Sequence, residues 1–358
     1  MAGIIGLGIL IYYNFKPSPK VNKWFLFASL SMVFLVQGLR ADTVGKDTAV
    51  YLKSFLIIDS PGFHISSSSW EPLYVLFNKA IGVFTNNPQF LLIFSSAFIL
   101  TGLGLFIYKS IDNNKNSAFW PVFFFMCFTH YLNSMNLLRQ YLAMAVVIQI
   151  YWVLRDGKTA KKYITAGILL ITGTLFHSSA LLCGLLFLPF LLKKIDKKMI
   201  ILVGIGIIVA LLLYTRLLSV VFSVFPQYKK YTTSFRIEGE GFGLYYVLYL
   251  LFNVAFILLT LLYLDPKEYS NQEIYKILFI TAISLGLLLM KTRVSLAHRT
   301  GYYFDIFNIL LYQKVMNKVN KNRTFLYYLM FCYGLFCFVY TLPSVDRACV
   351  PYLFFWQH

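Results

Sequence analysis

The chain has 358 residues, of which 59% are hydrophobic and 13% charged, with a formal net charge of +18. Soluble domains carry about 25% charged residues, so this composition excludes an ordinary water-soluble fold and points to a bilayer. The basic excess lies in short loops between apolar runs, not in a stripe or tail, which excludes nucleic acid as a partner.

A membrane-spanning helix needs about 20 apolar residues, with a lower limit near 17. The first apolar stretch, Met1 to Phe15, has no basic residue before it and no small-residue cleavage site; it reads as a short first span, not a secretory signal. Further candidates follow at 23–39, 88–108, 117–135, 140–154, 163–177, 178–192, 199–214, 243–264, 276–290, 300–317 and 324–340. The apolar runs 119–154 and 163–192 would reach roughly 54 and 45 Å as single helices, against a hydrocarbon core of about 30 Å. Each has a polar knot in its middle, His130 to Arg139 in the first and His177-Ser178-Ser179 in the second. Each is therefore read as two spans joined by a tight polar turn.

The distribution of basic residues supports that division. Lys16, Lys20 and Lys23, then Lys109 and Lys115, then Arg155, Lys158, Lys161 and Lys162 fall on one side. Lys193 to Lys198, Lys267 with Lys276, and Lys314 to Arg323 join them there. The short amphipathic segment 71–85 is then laid on the outer surface. The expected fold is all-α: a polytopic helical bundle of about twelve spans, one transmembrane domain over 1–358, both termini outside. Extracytoplasmic segments are expected at 40–87, with an amphipathic helix, and at 215–242.

Arginines sort the other way. Arg40, Arg139, Arg216, Arg236, Arg293, Arg299 and Arg347 fall outside, while only Arg155 and Arg323 share the lysine side. Lysine alone can set topology, so outer arginine needs another reason, and its fork binds phosphate or carboxylate bidentately. The same face gathers Asp42, Asp47, Tyr51, Asp59, His64 and Glu71 from the loop 40–70. It also gathers Asn133, Asn136, Arg139 and Gln140 from the first turn, and His177 from the second. Ionisable groups at membrane depth are expensive and point to function. Each also has a plainer role: Arg139 capping a turn or reaching lipid headgroups, His177 packing, Asp47 capping a helix that starts at Thr48.

Other chemistries lack their signatures. The sequence has no phosphate-loop lysine motif, no HExxH and no GxSxG. No group of metal ligands has convincing spacing, so no metal is expected. The five cysteines, Cys127, Cys183, Cys332, Cys337 and Cys349, form no CxxC pair and read as apolar packing residues. Asp305 is the only carboxylate placed inside a span, which gives a proton relay little support.

Several strings resemble a known family. Arg40 with Gly45-Lys46-Asp47 and Tyr51 resembles the first outer loop of the EpsG-like, Wzy-type polysaccharide polymerases. Glu71-Pro72-Leu73-Tyr74 is similar to the motif that follows it. Leu138-Arg139-Gln140-Tyr141-Leu142-Ala143 resembles an arginine-glutamine-alanine helix start, and Phe176-His177-Ser178-Ser179-Ala180-Leu181 a histidine motif. Arg299 with Tyr302 and Tyr303, and the terminal Pro351 to Trp356, match more loosely. Lys46 departs from the small residue expected at its position.

The resemblance implies a metal-independent glycosyltransferase of the membrane-embedded GT-C type. It would join oligosaccharide repeat units carried on undecaprenyl diphosphate, at the extracytoplasmic face of a bacterial inner membrane. It implies no cofactor, and as partners the lipid-linked substrate, the bilayer, a chain-length regulator and a flippase. Diphosphate binding would fall to Arg139, Arg299, Arg293, Arg236 and Arg40. Acceptor or sugar contacts would fall to Asp42, Tyr51, Asn136, Gln140 and Tyr302. An imidazole titrates near neutrality, so His177 is the expected base, with Asp47 orienting it and Glu71 as the next carboxylate in line. An O-antigen ligase or another polyprenyl-phosphate glycosyltransferase would use the same outer arginines. A transporter of lipid-linked sugars should instead carry charge through the bundle.

Overall fold

The computed structural model describes residues 1–64, 69–111, 117–157, 159–214, 216, 219–220, 223, 243–268, 271–292, 298–319, 323–344 and 347–357. Among them the chain is helical and no β-strand occurs; one isolated antiparallel bridge joins Arg40 and Phe354. Two compact units are present: Met1–Gly184 with Thr324–His358, and Leu185–Arg323.

In the first unit, α1 (Ala2–Asn14) and α2 (Pro19–Gly38) follow one another, with Ser18 capping α2 through the backbone N–H of Val21 at 3.2 Å. Next come α3 (Thr48–Asp59), α4 (Pro72–Gly82) and α5 (Gln89–Ser110). The segment 40–70, expected as a loop, therefore contains a three-turn helix. Its start at Thr48 follows Gly45, whose φ of +98° suits glycine and turns the chain into α3. The amphipathic helix expected within 71–85 is α4.

The apolar run 119–154 is α6 (Phe119–Cys127), α7 (His130–Asn136), α8 (Leu138–Val147) and α9 (Gln149–Arg155). Its polar knot is itself helical. One break lies just before it, at Thr129, which adopts φ 71°, and one within it, at Leu137. The run 163–192 breaks where expected: α10 (Ala160–Phe176) ends at His177, which is extended, and a 3-10 segment, Ser178–Phe187, follows. α2 packs on α5, α5 on α8, and α8 and α9 on α10. The α5–α8 approach depends on Gly102, where a Cβ would stand 2.6 Å from Ala145 Cβ and 2.7 Å from its carbonyl oxygen. The last helix of the chain, Arg323–Thr341, stacks Phe331 on Phe123 of α6 at 5.2 Å.

The second unit contains α11 (Leu188–Leu191), α12 (Lys197–Leu212), α13 (Leu244–Tyr263), α14 (Gln272–Leu289), α15 (His298–Asp305) and α16 (Asn308–Lys318). The candidate span 300–317 is thus divided at Ile306-Phe307. Asp305 is buried there and fully engaged: it accepts from Tyr249 Oη at 2.7 Å and Asn308 Nδ2 at 2.8 Å. Neutral donors of this kind make a buried carboxylate tolerable.

Among the described residues five helices are long and apolar enough to cross a membrane: Pro19–Gly38, Gln89–Ser110, Leu244–Tyr263, Gln272–Leu289 and Arg323–Thr341. The shorter helices also turn apolar faces outward. Ile164, Ile168 and Ile171 of α10 are each more than half exposed, as are Ile201, Leu202, Ile205 and Ile208 of α12. Such continuous apolar stripes suit lipid contact and would be untenable in water.

Candidate active site

Three elements of the first unit meet at one carboxylate. Glu71 precedes α4, whose first residue is Pro72; an acidic residue there commonly turns back on its own helix. Glu71 does not: its side chain makes no capping bond and reaches instead to two other elements. Arg139 Nη1 donates to its Oε2 at 2.6 Å, and His177 Nδ1 lies 2.8 Å from its Oε1. The backbone N–H of Ser178 donates to the same Oε1 at 3.2 Å. Both carboxylate oxygens are thus committed, each to a different partner.

Local structure places these groups without serving helix stability. Arg139 is in the first turn of α8, where the helix dipole disfavours a cation; the Glu71 carboxylate offsets that. His177 is the C-cap of α10, with an extended backbone whose N–H donates to Gly173 O. α4 packs on α10 and α10 on α8, so the three anchoring helices form one block. The cluster is partly open, with side-chain exposures of 15% for Glu71, 27% for Arg139 and 26% for His177. Burial alone would raise the Glu71 pKa; the His177 hydrogen bond and the Arg139 charge outweigh it and hold it at about 2. The site is therefore anionic at its centre at any physiological pH, with a cation on one side and an imidazole on the other.

Tyr74, one turn into α4, lies beneath Arg139 with the guanidinium carbon 5.7 Å from the ring centre, and its hydroxyl is 3.1 Å from Ser54 Oγ of α3. The string Glu71-Pro72-Leu73-Tyr74 contains this residue, but nothing in the pattern says that its ring supports an arginine far away in sequence. Tyr51 is near enough to Arg139 and Arg40 to act on the charge of both.

Other expected site residues have different surroundings. Asp47 is at the N-cap position of α3, makes no side-chain capping bond, and has no bond to His177 among the described residues. The carboxylate that touches His177 is Glu71. Arg40 is fully buried: it donates to Met135 O at 3.1 Å and Thr48 Oγ1 at 3.4 Å, and also to Gln37 O. Burial lowers its pKa to about 10, so it remains cationic at neutral pH. It clamps the segment before α3, where Ala41 N donates to Leu353 O at 2.9 Å and Gly45 N to Ala348 O at 2.7 Å. Arg40 thus departs from the expected phosphate ligand because its Nε, Nη1 and Nη2 each donate within the protein, to the Thr48 hydroxyl and to the carbonyls of Gln37 and Met135. Arg40→Met should lower the melting temperature strongly, by several kcal/mol of stability, since it strands two buried carbonyl oxygens at about 1–3 kcal/mol each. Thermal unfolding in detergent measures this.

Asn136 is likewise buried and donates to Arg347 O and Leu132 O, both at 3.1 Å, and Gln140 is buried in α8. Asp42 is exposed. In the second unit, Arg299 is exposed in the first turn of α15, and Tyr302 presents its ring edge-on to His298 at 5.6 Å. Arg236 and Arg293 lie outside the described residues. Among the described residues no group of three or more histidine, cysteine or acidic side chains could hold a metal ion.

The arrangement can orient an imidazole through an anionic partner and present a guanidinium beside it. That is the equipment for moving a proton next to a charged leaving group. Comparison with protein families matches the EpsG family over residues 22–354. No curated protein and no solved structure matches the chain.

Proposed function

The chain belongs to the EpsG family, a polysaccharide-polymerase type of membrane protein, and on that premise we propose that it joins oligosaccharide repeat units carried on undecaprenyl diphosphate at the extracytoplasmic face of the bacterial inner membrane. The observation that carries this reading is the Glu71 carboxylate. Three strings far apart in sequence, around Glu71, Arg139 and His177, converge on it. Helix packing alone gives no reason for a half-buried carboxylate to bridge an arginine and a histidine.

In the proposed reaction the acceptor hydroxyl attacks the anomeric carbon of the donor sugar. A new glycosidic C–O bond forms, and the bond from that carbon to the lipid diphosphate breaks. The hydroxyl proton passes to His177 Nε2, while Glu71 holds the opposite ring nitrogen and favours the imidazolium that results. Arg139 stabilises the charge that develops on the departing diphosphate. Arg299, exposed at the start of α15, is proposed as a further diphosphate ligand, with Arg293 and Arg236 as its sequence companions. Asp42, Tyr51 and Tyr302 are proposed for sugar contacts. About twelve crossings in a GT-C-like bundle complete the reading, supported by the five long apolar helices and the outward apolar stripes. The lipid diphosphate supplies the activation, so the reaction calls for no nucleotide or redox cofactor.

Arg139→Lys keeps the charge and loses the fork. A charged hydrogen bond contributes about 1.5–3 kcal/mol, so the polymerisation rate should fall roughly tenfold to a hundredfold with protein level unchanged. Unaltered rates would reduce Arg139 to a structural partner of Glu71. The function itself is tested by the lipid-linked oligosaccharides of a strain lacking the gene. Single repeat units should accumulate on the carrier. Long carrier-linked polymer that fails only to reach its final attachment would instead indicate a ligase.

A further inference from the structure

Beyond the Glu71 cluster, α8 and α9 are walled in by the rest of the first unit along all but one strip. Between Leu138 and Leu154 every residue is buried except Arg139, Val146, Gln149 and Val153. These four recur at spacings of seven, three and four residues, which is the period of a single helix face. The strip starts in the candidate site and, at 1.5 Å per residue, runs roughly 21 Å to Val153. A hydrocarbon core is about 30 Å thick. Two neighbouring helices explain why one strip is left open. Ala145 meets α5 at Gly102, and Val147 meets α10 at Gly173, where a Cβ would collide with its side chain. Ala145 and Val147 are two residues apart and so project from nearly opposite sides of α8. Val146 points between them. α8 is thus a floor, with α5 and α10 as its two walls.

The trough is headed by aromatic rings and carries no charge below Arg139. Phe77 of α4, Phe98 of α5 and Phe176 of α10 meet with ring centres 5.6 to 6.2 Å apart. Phe176 directly precedes His177, and Phe77 belongs to the helix that Glu71 precedes, so this cluster adjoins the candidate site. Further along the strip, Val146 and Val153 are aliphatic. Gln149 turns its amide aside and donates from Nε2 to Gly102 O at 2.8 Å. Phe94 and Leu105, on the same face of α5 as Phe98, are exposed. The trough is therefore open sideways to lipid, and a membrane-bound molecule can enter it without leaving the bilayer. Its geometry suits a long chain that has no polar groups along its length and holds its one polar end at the Glu71 cluster.

We propose that the trough between α5 and α10 binds the isoprenoid chain of the lipid carrier, laid along Val146 and Val153 with its diphosphate end toward Arg139. The proposal rests on the reading of the Glu71 cluster as the reaction site. It adds where the carrier's chain lies and from which side of the first unit the carrier enters.

The test uses the full-length protein in liposomes and undecaprenyl diphosphate bearing a diazirine on its isoprenoid chain, with labelled peptides identified by mass spectrometry. Light should attach this probe to the segment 146–153, and excess unlabelled undecaprenyl diphosphate should suppress the labelling. A phospholipid with a diazirine on its acyl chain should label the segment far less. Val146→Trp fills the trough from its floor, at a position that already faces outward, and should reduce probe labelling there about tenfold. Val146→Ile should preserve it. Val153→Phe provides a second blocked variant, and melting temperatures establish which variants are folded. The trough and the reaction fail separately. Probe that is bound competitively but labels only other helices overturns the trough and leaves the reaction standing. So does equal labelling by the phospholipid, or labelling unchanged in the folded blocked variants. A trough labelled as expected, in a protein that joins no repeat units, keeps the trough and overturns the polymerase reading. Absence of competitive labelling anywhere overturns both.

Discussion

Glu71→Gln is expected to lower polymer formation by about a hundredfold to ten-thousandfold, the range associated with losing a positioned acid–base group. Glutamine is nearly the same size, and its single amide oxygen can accept one bond where the carboxylate accepts from both sides. It brings no charge, so an imidazolium forming at His177 loses its counter-ion and Arg139 is left facing a neutral group. The rate should therefore fall even where the fold persists. Stability supplies a second readout with a definite sign. The folded pKa of Glu71 is held at about 2 against an ordinary 4.5. A depressed carboxylate contributes stability that is present above about pH 4.5 and lost as pH falls toward 2. The wild type should thus melt higher than Glu71→Gln at neutral pH, with the gap closing between pH 4.5 and 2. A gap independent of pH over that interval would mean that Glu71 contributes through packing and not through its charge.

His177→Ala is expected to have an effect of similar size, about a hundredfold to ten-thousandfold on turnover, with a different signature. The lipid-linked substrate should still bind, because the diphosphate is proposed to be held by arginines and not by the imidazole. His177→Ala should therefore lower the maximal rate while leaving the substrate concentration for half-maximal rate nearly unchanged. Combined with Glu71→Gln it should add little, since the two residues act as one unit. Multiplying losses would separate them. Asp47→Asn provides the contrast: it should retain partial activity, as its carboxylate has no bond to His177 among the described residues. A tolerant His177 beside an indispensable Asp47 would exchange their roles.

The sequence made the membrane character legible, along with most helix positions and the break at His177, because apolar run length and polar interruptions are local properties. It placed Arg139, His177 and Glu71 among the outer polar residues, yet ranked Glu71 behind Asp47. Spacing along the chain carries no information on which of two carboxylates meets a histidine more than a hundred residues away; α4 packing on α10 decides that. Arg40 shows the reverse difficulty. An arginine in a polar stretch after a span resembles a ligand-binding residue, and only the positions of Gln37, Thr48 and Met135 reveal where its donors go. The segment 40–70 hid α3 for a related reason: Thr48–Asp59 mixes apolar and polar residues with no long apolar run. The polar knot between His130 and Asn136 stays helical because its side chains are buried among neighbours that accept them, including Tyr141, whose hydroxyl lies 3.0 Å from His130 Nδ1.

The most direct test of the proposed reaction uses the purified protein in liposomes supplied with undecaprenyl-diphosphate-linked repeat units, with products resolved by size. The wild type should yield a ladder of carrier-linked polymer and release undecaprenyl diphosphate, and Glu71→Gln should leave the single units unjoined. A wild-type protein that moves the lipid-linked units across the bilayer without joining them, or a Glu71→Gln protein that builds the same ladder at the same rate, would contradict the account.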